Sequence, residues 1–238
     1  RIAQEKGVKF GKLQVVDSVH LVADVNVGKD KQRQNEGKTP RDGDAKWGAK
    51  GNKIAVGKDG KRHKETQYYY GYKEQVSLNA ESGLVTSVIP GRADDYDGHK
   101  FKKLVDKDLS KGIEIGTVTA DKGYDDGENH YYLEKHGINS AIRLNSYRTQ
   151  KKDENKAGWV ELKESSEYQK GLKERYKVER KFGEAKKWHG FARCRYIGFV
   201  RHAIQSYLTF MALNLKRLVK LLTSVSFKGE VKAYSMSG

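Results

Sequence analysis

Two aspartates occupy the chain's most demanding placements. Asp17 lies inside the β-rich run Lys12–Val22 (KLQVVDSVHLV), flanked by Val15, Val16 and Val19. Asp121 closes the short apolar run that begins at Ile113, and Lys122-Gly123-Tyr124 follows it. A charge inside a buried strand is costly unless it is paired or metal-bound. In open α/β sheets, sites form at the carboxyl ends of strands. Two aspartates on adjacent strands bring like charges together, which disfavours joint ionisation unless a cation neutralises them. Oxygen-only donors suit Mg²⁺ or Mn²⁺. Taken singly, each Asp also reads as a turn or cap residue, so the pair gains weight only with a third carboxylate.

Glu179 supplies one. At 100° per residue, Arg175, Glu179 and Lys186 fall within about 40° of one another on a helix. The apolar stripe Val178, Phe182 and Ala185 lies beside them. A carboxylate and two cations therefore sit at the edge of the buried face. The competing reading is an ordinary i,i+4 pair, Arg175–Glu179, worth about 0.3–0.5 kcal/mol. Gly183 on the same helix costs about 1 kcal/mol against Ala, which close backbone approach would explain.

The elements that must position these residues read as α/β. Tyr68–Leu78 and Leu84–Ile89 are strand patterns joined by Asn79–Gly83, a hairpin signal. His99–Leu109 has helical spacing, Ile113–Thr119 is of strand length, Glu128–His136 is a helix stopped by Gly137, and Asn139–Leu144 is another strand. Gly171–Trp188 reads as one helix ended by Gly190, and Gly198–Leu222 as a long amphipathic helix. This order predicts a mixed sheet flanked by helices. Gly28–Thr66 is polar, with twelve Lys or Arg against six acids and no apolar periodicity, and reads as a long basic surface loop inserted after the first strand. Residues 145–171 form a second polar insertion, mostly loop, with Trp159, Val160 and Leu162 as a short strand. Residues 223–238 show no pattern and are expected to be disordered.

Charge narrows the partner. Forty-seven Lys and Arg against 31 Asp and Glu leave +16 on 238 residues, which calls for a polyanion, most simply nucleic acid. Tyr168–Lys220 carries +11 of that total. The single Cys194 excludes an intrachain disulfide and a cysteine-rich zinc site, and fits a reducing compartment. The longest apolar region, 203–215, is interrupted by Gln205, Ser206 and Asn214, so no membrane span is expected. No Gly-x-Ser-x-Gly nucleophile elbow occurs. The histidines lack metal-ligand spacing, and His20 reads as structural. Trp47 and Trp159 either stack on DNA or pin their segments to the body. Tyr124 reads as core, and Asp125-Asp126 as an acidic pair at a helix start. The chain opens at Arg1 without a Met, as a fragment or a processed product would.

In order and spacing these motifs resemble the DDE transposases of bacterial insertion sequences, which have an RNase H-like catalytic domain. The resemblance runs from about Gly11 to Leu222. VVDSVHLVADV carries the family's first Asp at Asp17, and VTADKGYDD the second at Asp121. Arg175, Glu179 and Lys186 fit the family's spaced Tyr-Arg-Glu-Lys signature, with Leu172 standing where the family has Tyr. GDAKWG (43–48), YYGYKEQVSLNAESGLVTS (69–87) and YDGHK (96–100) also look like the family.

The resemblance implies a catalytic domain over residues 1–222, with insertions at 28–66 and 145–171. It implies that Asp17, Asp121 and Glu179 are catalytic and hold two Mg²⁺ or Mn²⁺ ions. The expected reaction is cleavage at transposon ends, followed by transfer of the freed 3′-hydroxyl into target DNA. Arg175 and Lys186 are then phosphate contacts, with Lys122 a weaker candidate; outside the resemblance, Arg193 and Arg195 read as further DNA-binding residues, and the 28–66 insertion, unusual between the first two strands, is expected to contact DNA. A homodimer on DNA and a bacterial cytoplasmic, nucleoid-associated location go with the family. So does an N-terminal helical region that helps recognise element ends and is absent here. Two other readings remain: a nuclease of the same fold that cuts without joining, and a non-catalytic DNA-binding remnant of a mobile element.

Overall fold

The computed structural model describes residues 2–57, 60–150 and 156–223. A short helix α1 (Ile2–Glu5) leads into strand β1 (Leu13–Val22). Then come helix α2 (Val27–Asn35) and strands β2 (Lys46–Val56), β3 (Arg62–Asn79) and β4 (Val85–Arg92). Helix α3 (Asp97–Leu109) and strand β5 (Thr117–Ala120) precede a 3₁₀ turn at Lys122–Tyr124. Helix α4 (Gly127–Lys135) and strand β6 (Asn139–Ile142) complete the sheet region. Five helices follow: α5 (Ser146–Gln150), α6 (Lys156–Glu164), α7 (Ser166–Glu174), α8 (Tyr176–His189) and α9 (Phe199–Thr223).

β1 pairs antiparallel with β3 and parallel with β5, β5 pairs parallel with β6, and β3 pairs antiparallel with β4. The body of the sheet therefore runs β4-β3-β1-β5-β6, the RNase H-like mixed arrangement implied by the resemblance. β2 pairs with the N-terminal half of β3, on the edge that β4 occupies further along. Side-chain alternation along β1 divides the core. Val15, Val19 and Leu21 join Tyr72, Val76, Val178, Phe182, Phe210 and Leu213 on the α8–α9 side. Val16 joins Phe101, Leu104, Val118, Leu133 and Ile142 on the α3–α4 side. Both faces of β1 are covered, which is why it reads as an almost continuous apolar run.

Four sequence expectations are corrected. Gly28–Thr66 is no long loop. It holds α2, capped by the Asn26 side chain accepting from Lys29 N, and a β2–β3 ribbon closed by a Gly57 N to Lys61 O hydrogen bond of 2.9 Å. The ribbon shows no alternation because both of its faces are exposed, so neither needs to be apolar. Residues 145–171 contribute helices, and Trp159, Val160 and Leu162 lie in α6 rather than in a strand. These helices are short and polar, which erases the 3.6-residue signal. Strand β5 is shorter than Ile113–Thr119, because Ile113 and Ile115 are apolar to fill the α3-side core rather than to pair. Gly171–Trp188 splits into α7 and α8 at Arg175, where hydrogen bonds from Arg175 N to Leu172 O and from Val178 N to Arg175 O take i,i+3 spacing. The backbone of Arg175 stays helical (φ −57°, ψ −32°), so the apolar period runs through the break unseen. The tail expected at 223–238 lies outside the described residues except for Thr223, which ends α9. Among the described residues no helix is long and apolar enough to cross a membrane.

Helix α7 sits unusually close to the sheet. A Cβ on Gly171 would stand 2.4 Å from Ala141 Cβ and 3.3 Å from Thr119 Cβ. Gly183 meets nothing within 4 Å, so close approach does not account for it. Gly171→Ala is expected to destabilise by about 1–3 kcal/mol through overpacking. Gly183→Ala is expected to stabilise by up to about 1 kcal/mol. Urea unfolding midpoints that move in the same direction for both would contradict this packing.

Candidate active site

The parallel register decides where the two aspartates meet. Val16 pairs with Ala120, the last residue of β5, so the residues that follow, Asp17 and Asp121, emerge side by side. α8 crosses the same face of β1, with Val178, Phe182 and Ala185 buried against Val15, Val19 and Leu21. Glu179, next to Val178, is carried to the rim. The sequence-derived trio is therefore brought together, on two neighbouring strands and one overlying helix.

Arg175 joins them. Its guanidinium stands 3.3 Å from Asp121 Oδ1, 3.9 Å from Glu179 Oε1 and 4.0 Å from Asp17 Oδ2. The i,i+4 pair expected with Glu179 is present, but it is one of three. The Arg175 side chain is only 13% exposed, level with Asp17 and well below Asp121 and Glu179, so the cation lies beneath those two acids rather than beyond them. Its buried Nε has no hydrogen-bond partner among the described residues. Among the same residues no group of three His, Cys, Asp or Glu side chains is arranged to hold a metal ion as it stands. The carboxylates are instead spread around one guanidinium.

Burial, the largest influence, pushes the Asp17 carboxyl up to about 6. The Ser18 N–H, donating to Asp17 Oδ1 at 2.8 Å, and Arg175 pull it down, while Asp121 and Glu179 push it up again. Lys186, half-buried on α8, is held below the usual lysine range by burial and then by Lys50, against the attraction of Asp17. Lys122 is exposed beside Asp121.

A polar network on the opposite face ties the two aspartates' neighbours together. The Ser18 hydroxyl donates to Asp97 Oδ2 (3.3 Å), and Asp97 Oδ1 accepts from Gln75 Nε2 (2.6 Å) and Lys73 Nζ (3.0 Å). Gln75 Oε1 in turn accepts from the hydroxyl of Tyr124, in the turn after Asp121. Tyr124 is buried, as expected. Asp97 lies in the YDGHK (96–100) motif, and nothing in residue type or spacing singles it out for this network. Asp125 is likewise no member of an acidic helix start. Asp126 caps α4, while Asp125 is buried and accepts from Asn145 N (2.7 Å) and Arg148 Nε (2.6 Å), with His130 3.0 Å away. Trp159 packs over Arg148 and against His130, so it pins the 145–171 segment to the body. Trp47 is exposed and leans on Tyr70.

Arg193 and Arg195 are not part of the cluster. Arg193 bridges to Val22, five residues along β1 from Asp17 and so roughly 17 Å away at strand rise. It pairs with Asp24 at 3.1 Å, and Arg195 donates to His189 O at 3.4 Å. Both side chains are exposed. His20 packs on Tyr69 at 4.9 Å, as a structural residue would, and burial with Lys186, Lys50 and Lys73 lowers it to about 4.

Residues 24–215 match the family described as the transposase DDE domain. The chain belongs to that family. The match contains Asp121 and Glu179 and begins seven residues after Asp17. The chain is also 30% identical, over 235 residues, to the transposase for insertion sequence element IS1106 of Neisseria meningitidis serogroup B, covering 92% of this chain and 70% of that protein. By membership in the DDE transposase family it is a DNA-cleaving and strand-transferring enzyme. Among solved structures it is similar to the catalytic core domain of BIV integrase, at TM-score 0.30 and 14% identity over 71% of this chain and 83% of that one. It is similar too to the Mos1 mariner paired end complex with Mn, at TM-score 0.31 and 11% identity over 95% of this chain and 59% of that one. At these TM-scores the two structures add nothing to the topology already given.

The shift on Asp17 sets a pH dependence. A carboxyl raised from 3.8 to about 6 on folding favours the protonated folded state. Its contribution to stability is present below the lower value and lost as pH rises through the upper one. With chelator present, the wild type is expected to lose stability between about pH 4 and 6 relative to Asp17→Asn, by on the order of 3 kcal/mol. Parallel thermal unfolding curves for the two proteins would show that Asp17 ionises normally.

Proposed function

We propose that Asp17, Asp121 and Glu179 are the catalytic carboxylates of a metal-dependent DNA transposase that cuts at transposon ends and joins the freed 3′-hydroxyl to target DNA. The observation that carries this reading is their convergence on one guanidinium from two adjacent strand positions and one helix. Three carboxylates offer oxygen-only donors around one guanidinium, and that donor chemistry suits hard divalent cations, Mg²⁺ or Mn²⁺. Asp17, Asp121 and Glu179 would hold such ions, which would supply activation of the attacking hydroxyl and stabilisation of the leaving oxygen.

The chain's own residues do the rest. Asp17 and Asp121 are fixed by the parallel register and by the Ser18–Asp97–Gln75–Tyr124 network, so the site is positioned before DNA arrives. Phosphoryl transfer needs mainly such positioning together with charge neutralisation. Arg175, at the junction of α7 and α8, faces all three acids, Lys186 on α8 is attracted by Asp17, and both are placed to bind the phosphates flanking the cut. Lys122 serves the same end from the turn after β5. Arg193 and Arg195, farther along, bind backbone outside the cleft. DNA is the partner, two copies act together on it, and the setting is the bacterial cytoplasm at the nucleoid.

The test uses a duplex ending in the terminal repeat that borders the coding sequence, with plasmid as target and Mg²⁺ or Mn²⁺ present. Asp121→Ala and Glu179→Gln are expected to lower strand-transfer product by about three orders of magnitude or more, with DNA affinity retained. Hydrolysis without joined product in the wild type would reduce the reading to a nuclease. Activity unchanged in both variants would leave DNA binding alone.

A further inference from the structure

The β2–β3 ribbon contributes almost nothing to the core, yet it is built at length. Residues 61–68 are all exposed, and so are Gly51–Ile54 opposite them. Ile54 and Val56 are 70% and 67% exposed. A two-stranded ribbon standing alone in water is marginally stable, so its residues were not selected for burial.

Its two faces differ. Cross-strand pairing puts Ile54 beside Lys64 and Val56 beside Arg62 on one face, with no acid among them. Lys53 and Glu65 occupy the other face and neutralise each other at 3.2 Å. The unbalanced cations therefore share a face with exposed aliphatic groups. Alternation along β3 runs without irregularity from Arg62 to Val76, and Val76 pairs with Asp17. The Arg62–Lys64 face is thus the continuation of the sheet face that carries the three carboxylates. The bulge at Lys50, where the ribbon leaves the body, lies near enough to Lys186 to perturb it.

We propose that the ribbon is a DNA-binding arm whose Arg62–Lys64 face lies along the duplex held at Asp17, Asp121 and Glu179. This rests on the DNA transposase reading above and adds where the duplex runs. Arg62 and Lys64 contact backbone phosphates, and Ile54 and Val56 make apolar contact in the groove, which is wide enough on the major side for a two-stranded ribbon. Seven exposed residues of β3, Arg62 to Tyr68, span roughly 24 Å, or about seven base pairs, and Tyr68 lies eight residues from Val76, so the arm covers duplex roughly 27–48 Å from the cut. A positive ribbon on a +16 chain selects a polyanion, and its ladder geometry suits a groove.

Fluorescence anisotropy with the intact chain and a duplex of arbitrary sequence, across a NaCl series, tests this. Arg62→Glu with Lys64→Glu is expected to weaken binding about tenfold or more and to reduce the slope of log affinity against log salt by roughly two. Lys103→Glu with Lys135→Glu, on α3 and α4 across the sheet, makes the same change in net charge and is expected to leave the slope unchanged. Ile54→Ser with Val56→Ser is expected to weaken binding several-fold at constant slope. Thermal unfolding at the wild-type midpoint certifies that each variant is folded. Equal losses in the arm and control pairs would mean that net charge acts at long range, and would overturn the proposal. Unchanged affinity in the arm variants would overturn it too, and would turn the ribbon toward a protein or anionic-lipid partner. In either case Asp121→Ala, if it still binds DNA and fails in strand transfer, keeps the transposase reading intact. Wild-type protein without salt-dependent DNA binding would defeat both.

Discussion

Three carboxylates cannot converge at the partly buried end of a sheet unless something positive joins them. In this chain that cation is Arg175, set at the junction of two helices so that one guanidinium faces Asp17, Asp121 and Glu179 together. At an effective dielectric near 20, like charges about 4 Å apart repel by several kcal/mol. The consequence is visible at Asp17, the most buried of the three, whose carboxyl is pushed up by burial first and by its two acidic neighbours in addition. The arrangement places the compensating cation against all three acids at once.

The rest of the fold reads as support for that geometry. The parallel β1–β5 pairing sets the two aspartates level, and the Ser18–Asp97–Gln75–Tyr124 network fixes their neighbours from the far side of the sheet. α7 is drawn tightly onto β5 and β6 by Gly171, and it delivers Arg175 at its end. α9 is held against β3 by a fully buried His202–Glu74 pair, with Tyr72 stacked on the imidazole at 4.1 Å. Buried pairs of this kind are weak evidence for net stability, because desolvation offsets their attraction. They do penalise any register in which either partner is left alone.

Charge is distributed by role. The cations nearest the acids, Arg175 and Lys186, are partly buried, and for Lys186 burial is the main cause of its lowered proton affinity. Those of the ribbon stand in solvent, where salt screens them over a Debye length of about 8–10 Å. On the proposed reading, the first group acts on a single phosphate and the second gathers and orients a long polyanion.

Much of the candidate site was legible in the chain itself. Asp17 amid valines, Asp121 after an apolar run, and Arg175, Glu179 and Lys186 on one side of a helix follow from residue type and period, because burial of both faces of β1 leaves an unbroken apolar signature. The element order, and with it the mixed sheet, was legible for the same reason. Periodicity could not show the ribbon at 46–67, the helices of 145–171 or the break at Arg175. The first two bury too little to leave a pattern, and the third interrupts the helical hydrogen bonding while the backbone stays helical. Nor could it show that Arg175 serves three acids rather than one, or that Asp97 and Tyr124 belong to one network. Such contacts join residues far apart in sequence, and only the parallel register and the seating of α8 on β1 bring them within a few ångströms.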